Sequence, residues 1–140
     1  MQDIIQYHEE IGTLMARIFL GSLFLFQGYD AIFGVKVSNV MNTVESSFRS
    51  KGVPHLLVLA GVWFTSYIEL TGGFLLIIGL FKYIALYLLC IDLLVASIGF
   101  GIASAMWDTK HVFPRLLLII FLLLIPPAMD IFSLDNIFFR

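Results

Sequence analysis

Polar and apolar positions separate along this chain into long blocks. Four apolar stretches, roughly 11–34, 55–80, 83–107 and 113–132, are divided by polar interruptions. About 20 residues of helix cross a hydrocarbon core of about 30 Å, so each stretch is long enough to span once. Backbone polar groups in lipid need internal partners, which makes helices the expected form. Phe81 and Lys82 leave almost no linker between the second and third stretches, and "DTKH" (108–111) does much the same before the fourth, so these neighbours must be antiparallel. The pair Pro126 and Pro127 is expected to kink only the last turns of the fourth helix.

The first connection is longer. Val37, Val40, Met41, Val44 and Phe48 recur at the spacing of one helical face, opposite Asn39, Asn42, Glu45, Ser46, Arg49 and Lys51. The pattern predicts a short amphipathic helix over 37–49 in the membrane interface, ended by Gly52 and Pro54. An ordinary loop packed on the bundle is the plainer alternative. The expected fold is all-α, an integral membrane four-helix antiparallel bundle with this interfacial helix, in one domain over 1–140.

Composition agrees with the pattern: 60% of the 140 residues are hydrophobic and the mean hydropathy is +0.99, too apolar for a water-soluble domain of this length. A formal net charge of -2 with eight Lys and Arg and no basic run argues against nucleic acid as a partner. The first stretch lacks a basic region ahead of it and a small-residue cleavage site behind it, so a permanent helix is expected rather than a cleaved signal. Lys36, Arg49, Lys51, Lys110 and Arg115 fall on the side that holds the first and third connections, whereas Lys82 and Arg140 fall on the terminal side. The positive-inside rule then puts the loops in the cytoplasm and both termini outside.

Three charged residues interrupt the apolar blocks: Arg17, Glu69 and Asp92. Counting inward from the terminal side, Arg17 lies about 10 Å deep, Asp92 slightly deeper and Glu69 about 16 Å deep. A charge facing lipid is costly, so the trio is expected to point inward and to meet, with Gln27, Ser66 and Tyr67 extending the polar interior. Gly21, Gly28, Gly72, Gly73, Ala96 and Gly99 lie beside the charges on the same helix stripes and would let the helices approach closely. One arginine against two acids leaves an excess carboxylate, which a bilayer interior favours in its neutral form and which could relay a proton or hold a quinone carbonyl or lipid head group. The plainer reading is a lock that holds the helices in register.

Other chemistries find less support. Cys90 is the single cysteine, so an intrachain disulfide and C-x-x-C exchange are excluded. His8, His55 and His111 lie near helix ends rather than at mid-membrane, which disfavours haem. With Asp30 and Asp108, the last two have no metal-ligand spacing, and no metal is expected. No catalytic residue, covalent cofactor or redox centre is apparent, and the chain reads as more a non-enzyme than an enzyme.

Four strings in order carry a resemblance: "RIFLGSLFLFQG" (17–28), "SKGVP" (50–54), "IELTGGFLLIIGL" (68–80) and "FSLD" (132–135). The chain resembles the DoxX family of small four-helix membrane proteins through nearly its whole length. The resemblance puts Arg17, Gly21, Gly28, Gly52, Pro54, Glu69, Gly72, Gly73, Gly79, Ser133, Leu134 and Asp135 at family motif positions. A lysine that relatives commonly carry shortly after the glycine matching Gly28 is replaced here by Asp30 and Ala31, and Lys36 could stand in only if the helix ended early. The resemblance implies a link to thiosulfate and quinone chemistry. The function it favours is an accessory or anchoring membrane subunit of a larger redox or respiratory complex, with quinone or lipid the candidate contact of the Arg17, Glu69 and Asp92 cluster. Partners would be membrane lipid and another membrane protein or a second copy of the chain. The alternatives are an assembly or trafficking factor acting through an outward small-residue face, and a minimal proton-coupled transporter.

Overall fold

The computed structural model describes residues 7–103, 110 and 112–138. The end of the third apolar block and most of "DTKH" lie outside the described residues. Among the described residues all regular structure is helical: α1 (His8–Tyr29), continued by a π-helical turn (Asp30–Gly34), α2 (Val37–Arg49), α3 (His55–Ile78), α4 (Lys82–Ala103), α5 (Phe113–Leu124), a 3₁₀ turn (Pro127–Met129) and α6 (Leu134–Phe138). Three of these, α1 with its π extension, α3 and α4, are long and apolar enough to cross a membrane.

Helix α4 shows how the sequence chooses a buried face. Lys82, Ala85, Leu86, Leu89, Asp92 and Leu93 are buried, whereas Ile84, Tyr87, Ile91, Leu94 and Ile98 face outward. The buried set follows the three-to-four residue spacing of one helical stripe. Its leucines join Leu20 and Phe24 of α1, Leu76 of α3, and Ile119 and Leu122 of α5 in a common core.

Glycines set the seam between α1 and α3. A methyl group on Gly21 would sit 2.9 Å from the Gly73 carbonyl oxygen and 2.8 Å from the Ile77 side chain. One on Gly28 would sit 2.8 Å from both the Leu70 Cα and the Ser66 carbonyl oxygen, and one on Gly73 would meet the backbone of Leu25. Backbones this close leave no room for a Cβ. Gly72 instead faces the Leu89 side chain of α4, and Gly99 faces Phe48 of α2. The half-buried Ala96 packs against the core.

The turn between α3 and α4 is built by a distant part of the chain. Gly79 ends α3 in the left-handed region (φ 70°), and the Leu80 N–H returns to the Leu75 carbonyl at 3.0 Å, a glycine-capped helix end. Phe81 is also left-handed (φ 50°). Asp135 completes the turn: its two carboxylate oxygens accept from the Phe81 and Lys82 N–H groups, each at 2.7 Å. Its own N–H donates to the Gly79 carbonyl at 2.9 Å. A carboxylate at a helix N-terminus satisfies donors that the helix cannot, so the terminal "SLD" supplies the cap that the tight turn lacks.

The fourth apolar block departs from expectation. Its helix stops at Leu124 rather than running to Phe132, because Ile125 (ψ 125°) and Pro126 (ψ 145°) are extended. A residue before proline is pushed out of the helical region, so the two prolines end the helix instead of kinking its last turns. The chain then turns through Pro127–Met129 and carries Asp130 back toward the bundle. At 12 residues, α5 is about 18 Å long, short of a hydrocarbon core of about 30 Å.

Helix α2 occupies the stretch read as amphipathic, with Val37 and Met41 buried. It begins after Lys36, which has a left-handed backbone (φ 67°) and an exposed side chain.

Candidate functional site

The predicted trio is divided between two polar centres. The seam register explains why. With Gly21 against Gly73 and Ile77, and Gly28 against Ser66 and Leu70, the antiparallel pairing brings Arg17 beside Gly79 and Gln27 beside Glu69. About 15 Å of helix separates Arg17 from Gln27, more than an arginine side chain spans.

The first centre lies at the end of the bundle nearest the termini. Arg17, 1% exposed, places Nη1 3.2 Å from Asp130 Oδ1, and its Nη2 donates to the Phe132 carbonyl at 2.7 Å. Lys82 Nζ lies 3.0 Å from Asp130 Oδ2, so one carboxylate stands between two buried cations. Ser133 Oγ donates to the Asp130 carbonyl at 2.8 Å and accepts from the Asn136 N–H at 3.2 Å. A side chain at Gly79 would occupy the place of the Arg17 guanidinium. This answers the expectation of an Arg17–Glu69 pair with a correction: the acid facing Arg17 is Asp130.

The second centre lies farther toward the loop side. Gln27 Nε2 donates to Glu69 Oε1 at 2.7 Å. These two residues, Arg115, Leu93, Ala96, Phe100 and Val112 line a cavity of about 260 Å³. Gln27 is exposed, so the cavity's edge faces out of the bundle. Pro114 stands at the start of α5 and puts Arg115 in its first turn, with the guanidinium 5.4 Å from the centre of the Phe24 ring. Asp92 is fully buried, and neither of its oxygens has a hydrogen-bond partner among the described residues. The arginine that shares a cavity with Glu69 is therefore Arg115 rather than Arg17.

Tyr67 does not join either centre. It is 50% exposed and stacks on Trp63 with ring centres 5.4 Å apart, because two residues along a helix put it on nearly the opposite face of α3 from Glu69. Ser66 is buried but donates within its own helix, to the Val62 carbonyl at 2.8 Å. Cys90 is a half-buried free thiol. Among the described residues no group of three or more His, Cys, Asp or Glu side chains is placed to hold a metal. Asp108 and His111 lie outside the described residues.

Sequence reasoning missed Lys82, Arg115 and Asp130. Lys82 reads as a linker charge, Arg115 counts with the loop-side charges at the mouth of an apolar block, and Asp130 sits inside a stretch that reads as helix. The dipeptide Pro126-Pro127 was the available signal that the helix ends and that the following acid is free to fold inward.

Chemically, the second centre offers a cationic donor in Arg115 and an acceptor in Glu69 at one small cavity, whereas the first is an ion cluster tied to backbone carbonyls and turn amides. No curated protein and no solved structure matches the chain. The DoxX family model matches residues 12–101, which contain the α1–α3 glycine seam, Arg17, Glu69 and Asp92, and the chain belongs to the DoxX family.

Proposed function

We propose that this DoxX membrane protein is an accessory or anchoring subunit of a larger redox or respiratory membrane complex and that it contacts quinone at the Gln27, Glu69 and Arg115 cavity. The observation that carries this reading is the pairing of a donor and an acceptor at the edge of an apolar bundle. Arg115 can donate to a quinone carbonyl, and Glu69 can accept from the hydroxyl of the reduced form. A volume of about 260 Å³ suits a ring rather than a whole amphiphile, since pockets for drug-sized ligands begin at about 300 Å³. The isoprenoid tail would stay in lipid beside the exposed Gln27. Asp92, on the neighbouring helix, adds a second carboxyl group to the field around the ring.

The wider arrangement follows from this reading. α5 and the segment after it complete a four-helix bundle, and α2 lies along the interface on the loop side. The loops face the cytoplasm of a bacterial inner membrane and the termini face outward. In support, Lys36, Arg49, Lys51 and Lys110 are exposed on the loop side, whereas Lys82, counted for the terminal side, is consumed by the buried contact with Asp130. Positive-inside bias depends on free basic residues near the ends of spans.

Affinity purification of the tagged protein from its native membrane in mild detergent, with mass spectrometry of retained proteins, tests the subunit reading. Near-equal recovery with haem, flavin or iron–sulfur subunits is the expected result. Recovery of this chain alone, as monomer or homo-oligomer, would overturn it.

A further inference from the structure

A second pocket lies at the opposite end of the bundle and has no part in the quinone reading. It measures about 450 Å³ and runs from Phe81, Tyr83, Ile84 and Pro127 down to Lys82 and Asp130. Phe81 and Ile84 are about half exposed, 46% and 56%, whereas Lys82 is 3% exposed. The outer part is therefore mainly apolar, with the half-buried Asp135 and Asn136 also in its wall, and the inner part is charged.

The formal charges of Arg17 and Lys82 are balanced by Asp130 and Asp135, but the donors at the inner end are unevenly met. Arg17 and Lys82 share the single Asp130 carboxylate, one oxygen each. The charge of Asp135 is nearby, but both of its oxygens are taken by the backbone amides of Phe81 and Lys82. Lys82 Nζ has three N–H donors and makes no aligned hydrogen bond among the described residues. Its other close neighbour is the face of the Tyr83 ring, 4.9 Å from the ring centre, which attracts a cation but offers no lone pair. A buried ammonium with unmet donors calls for acceptor oxygens. An acceptor entering here passes between exposed apolar side chains, as the head of an amphiphile would.

We infer that this pocket binds the anionic phosphate of a membrane lipid, with the phosphate oxygens at Lys82 Nζ and the glycerol and upper acyl chain against Phe81, Ile84 and Pro127. The unmet Nζ donors of Lys82 select an oxygen-rich head, and the apolar entrance selects a lipid-borne phosphate over a free one. Such a lipid would belong to the leaflet on the terminal side and would fasten the α3–α4 turn and the returning C-terminal segment to that leaflet.

The test is thermal melting of the purified full chain in a neutral detergent, titrated with short-chain phosphatidylglycerol, with diacylglycerol of the same chains, or with inorganic phosphate. The inference predicts saturable stabilisation by phosphatidylglycerol and none by the other two at equal concentration. Lys82→Met should weaken the apparent affinity about tenfold, the value of one charge-assisted contact. Ile84→Trp leaves Arg17, Asp130 and Lys82 in place and fills the entrance, and should weaken it by a similar factor while the lipid-free melting temperature stays near that of the parent. That second variant keeps the test valid if Lys82→Met fails to fold. Equal stabilisation by diacylglycerol or by inorganic phosphate would overturn the inference. So would unchanged phosphatidylglycerol affinity in Ile84→Trp.

Discussion

Asp130→Asn removes the only carboxylate that Arg17 and Lys82 touch among the described residues, and the size of the effect can be worked from the contacts. Asp130 faces the two cations at 3.2 and 3.0 Å, and all three residues are 3% exposed or less. At an effective dielectric of about 20, each contact has a gross attraction of about 5 kcal/mol. The asparagine keeps one carbonyl for one cation but turns an N–H₂ donor toward the other, so a buried charge is left unmet. Breaking a buried pair in this way costs about 3–5 kcal/mol. Unfolding in mixed micelles, followed by tryptophan fluorescence, should register that loss. Arg17→Met, Lys82→Met and Asp130→Leu combined should recover most of it, because no charge is then left buried alone. A change below about 1 kcal/mol in Asp130→Asn, or a triple variant no more stable than the single one, would contradict a buried carboxylate shared by Arg17 and Lys82.

Three further outcomes follow from the same geometry. Gly73→Ala would press a methyl group to 2.7 Å from the Gly21 carbonyl oxygen and 2.9 Å from Leu25 Cα, and should cost about 1–3 kcal/mol or more; Gly61→Ala, with nothing within 4 Å, serves as the control and should be close to neutral. Asp135→Ala removes both acceptors from the start of α4 and should cost about 1–2 kcal/mol, with faster hydrogen exchange at the Phe81 and Lys82 amides; unchanged exchange there would count against the cap. A double-mutant cycle of Arg17→Met with Glu69→Gln should give a coupling below about 0.5 kcal/mol, as for separate sites, while Arg17→Met with Asp130→Leu should couple by about 1 kcal/mol or more; coupling between Arg17 and Glu69 would restore the single-cluster view.

Helix faces were legible in the amino-acid order because periodicity is local. Arg17, Gly21, Phe24 and Gly28 share one stripe of α1, and that stripe is buried. Glu69, Gly72, Gly73 and Leu76 do the same in α3. Vertical register was not legible, since depths counted from the edges of apolar blocks assume that neighbouring helices end in one plane. α1 starts at His8, and its glycines slide against α3 until Arg17 meets Gly79. Arg17 ends about 15 Å of helix away from the level of Glu69, and Asp130 takes its place as the partner. Contacts far apart in sequence were also hidden: nothing in "FSLD" says that Asp135 caps a helix beginning at Lys82. Arg115 was similarly concealed, because a base at the mouth of an apolar run looks like a loop charge until the helix that carries it is packed under Phe24.

The proposed function rests on a quinone ring held between Arg115 and Glu69. Its most direct test is extraction and chromatographic measurement of the quinone retained by the protein purified in mild detergent, compared with Arg115→Met and Glu69→Leu variants of unchanged melting temperature. Quinone retained near one per chain by the parent, and reduced about tenfold or more in both variants, is the predicted result. No retained quinone in the parent, or equal amounts in the parent and the folded variants, would contradict it.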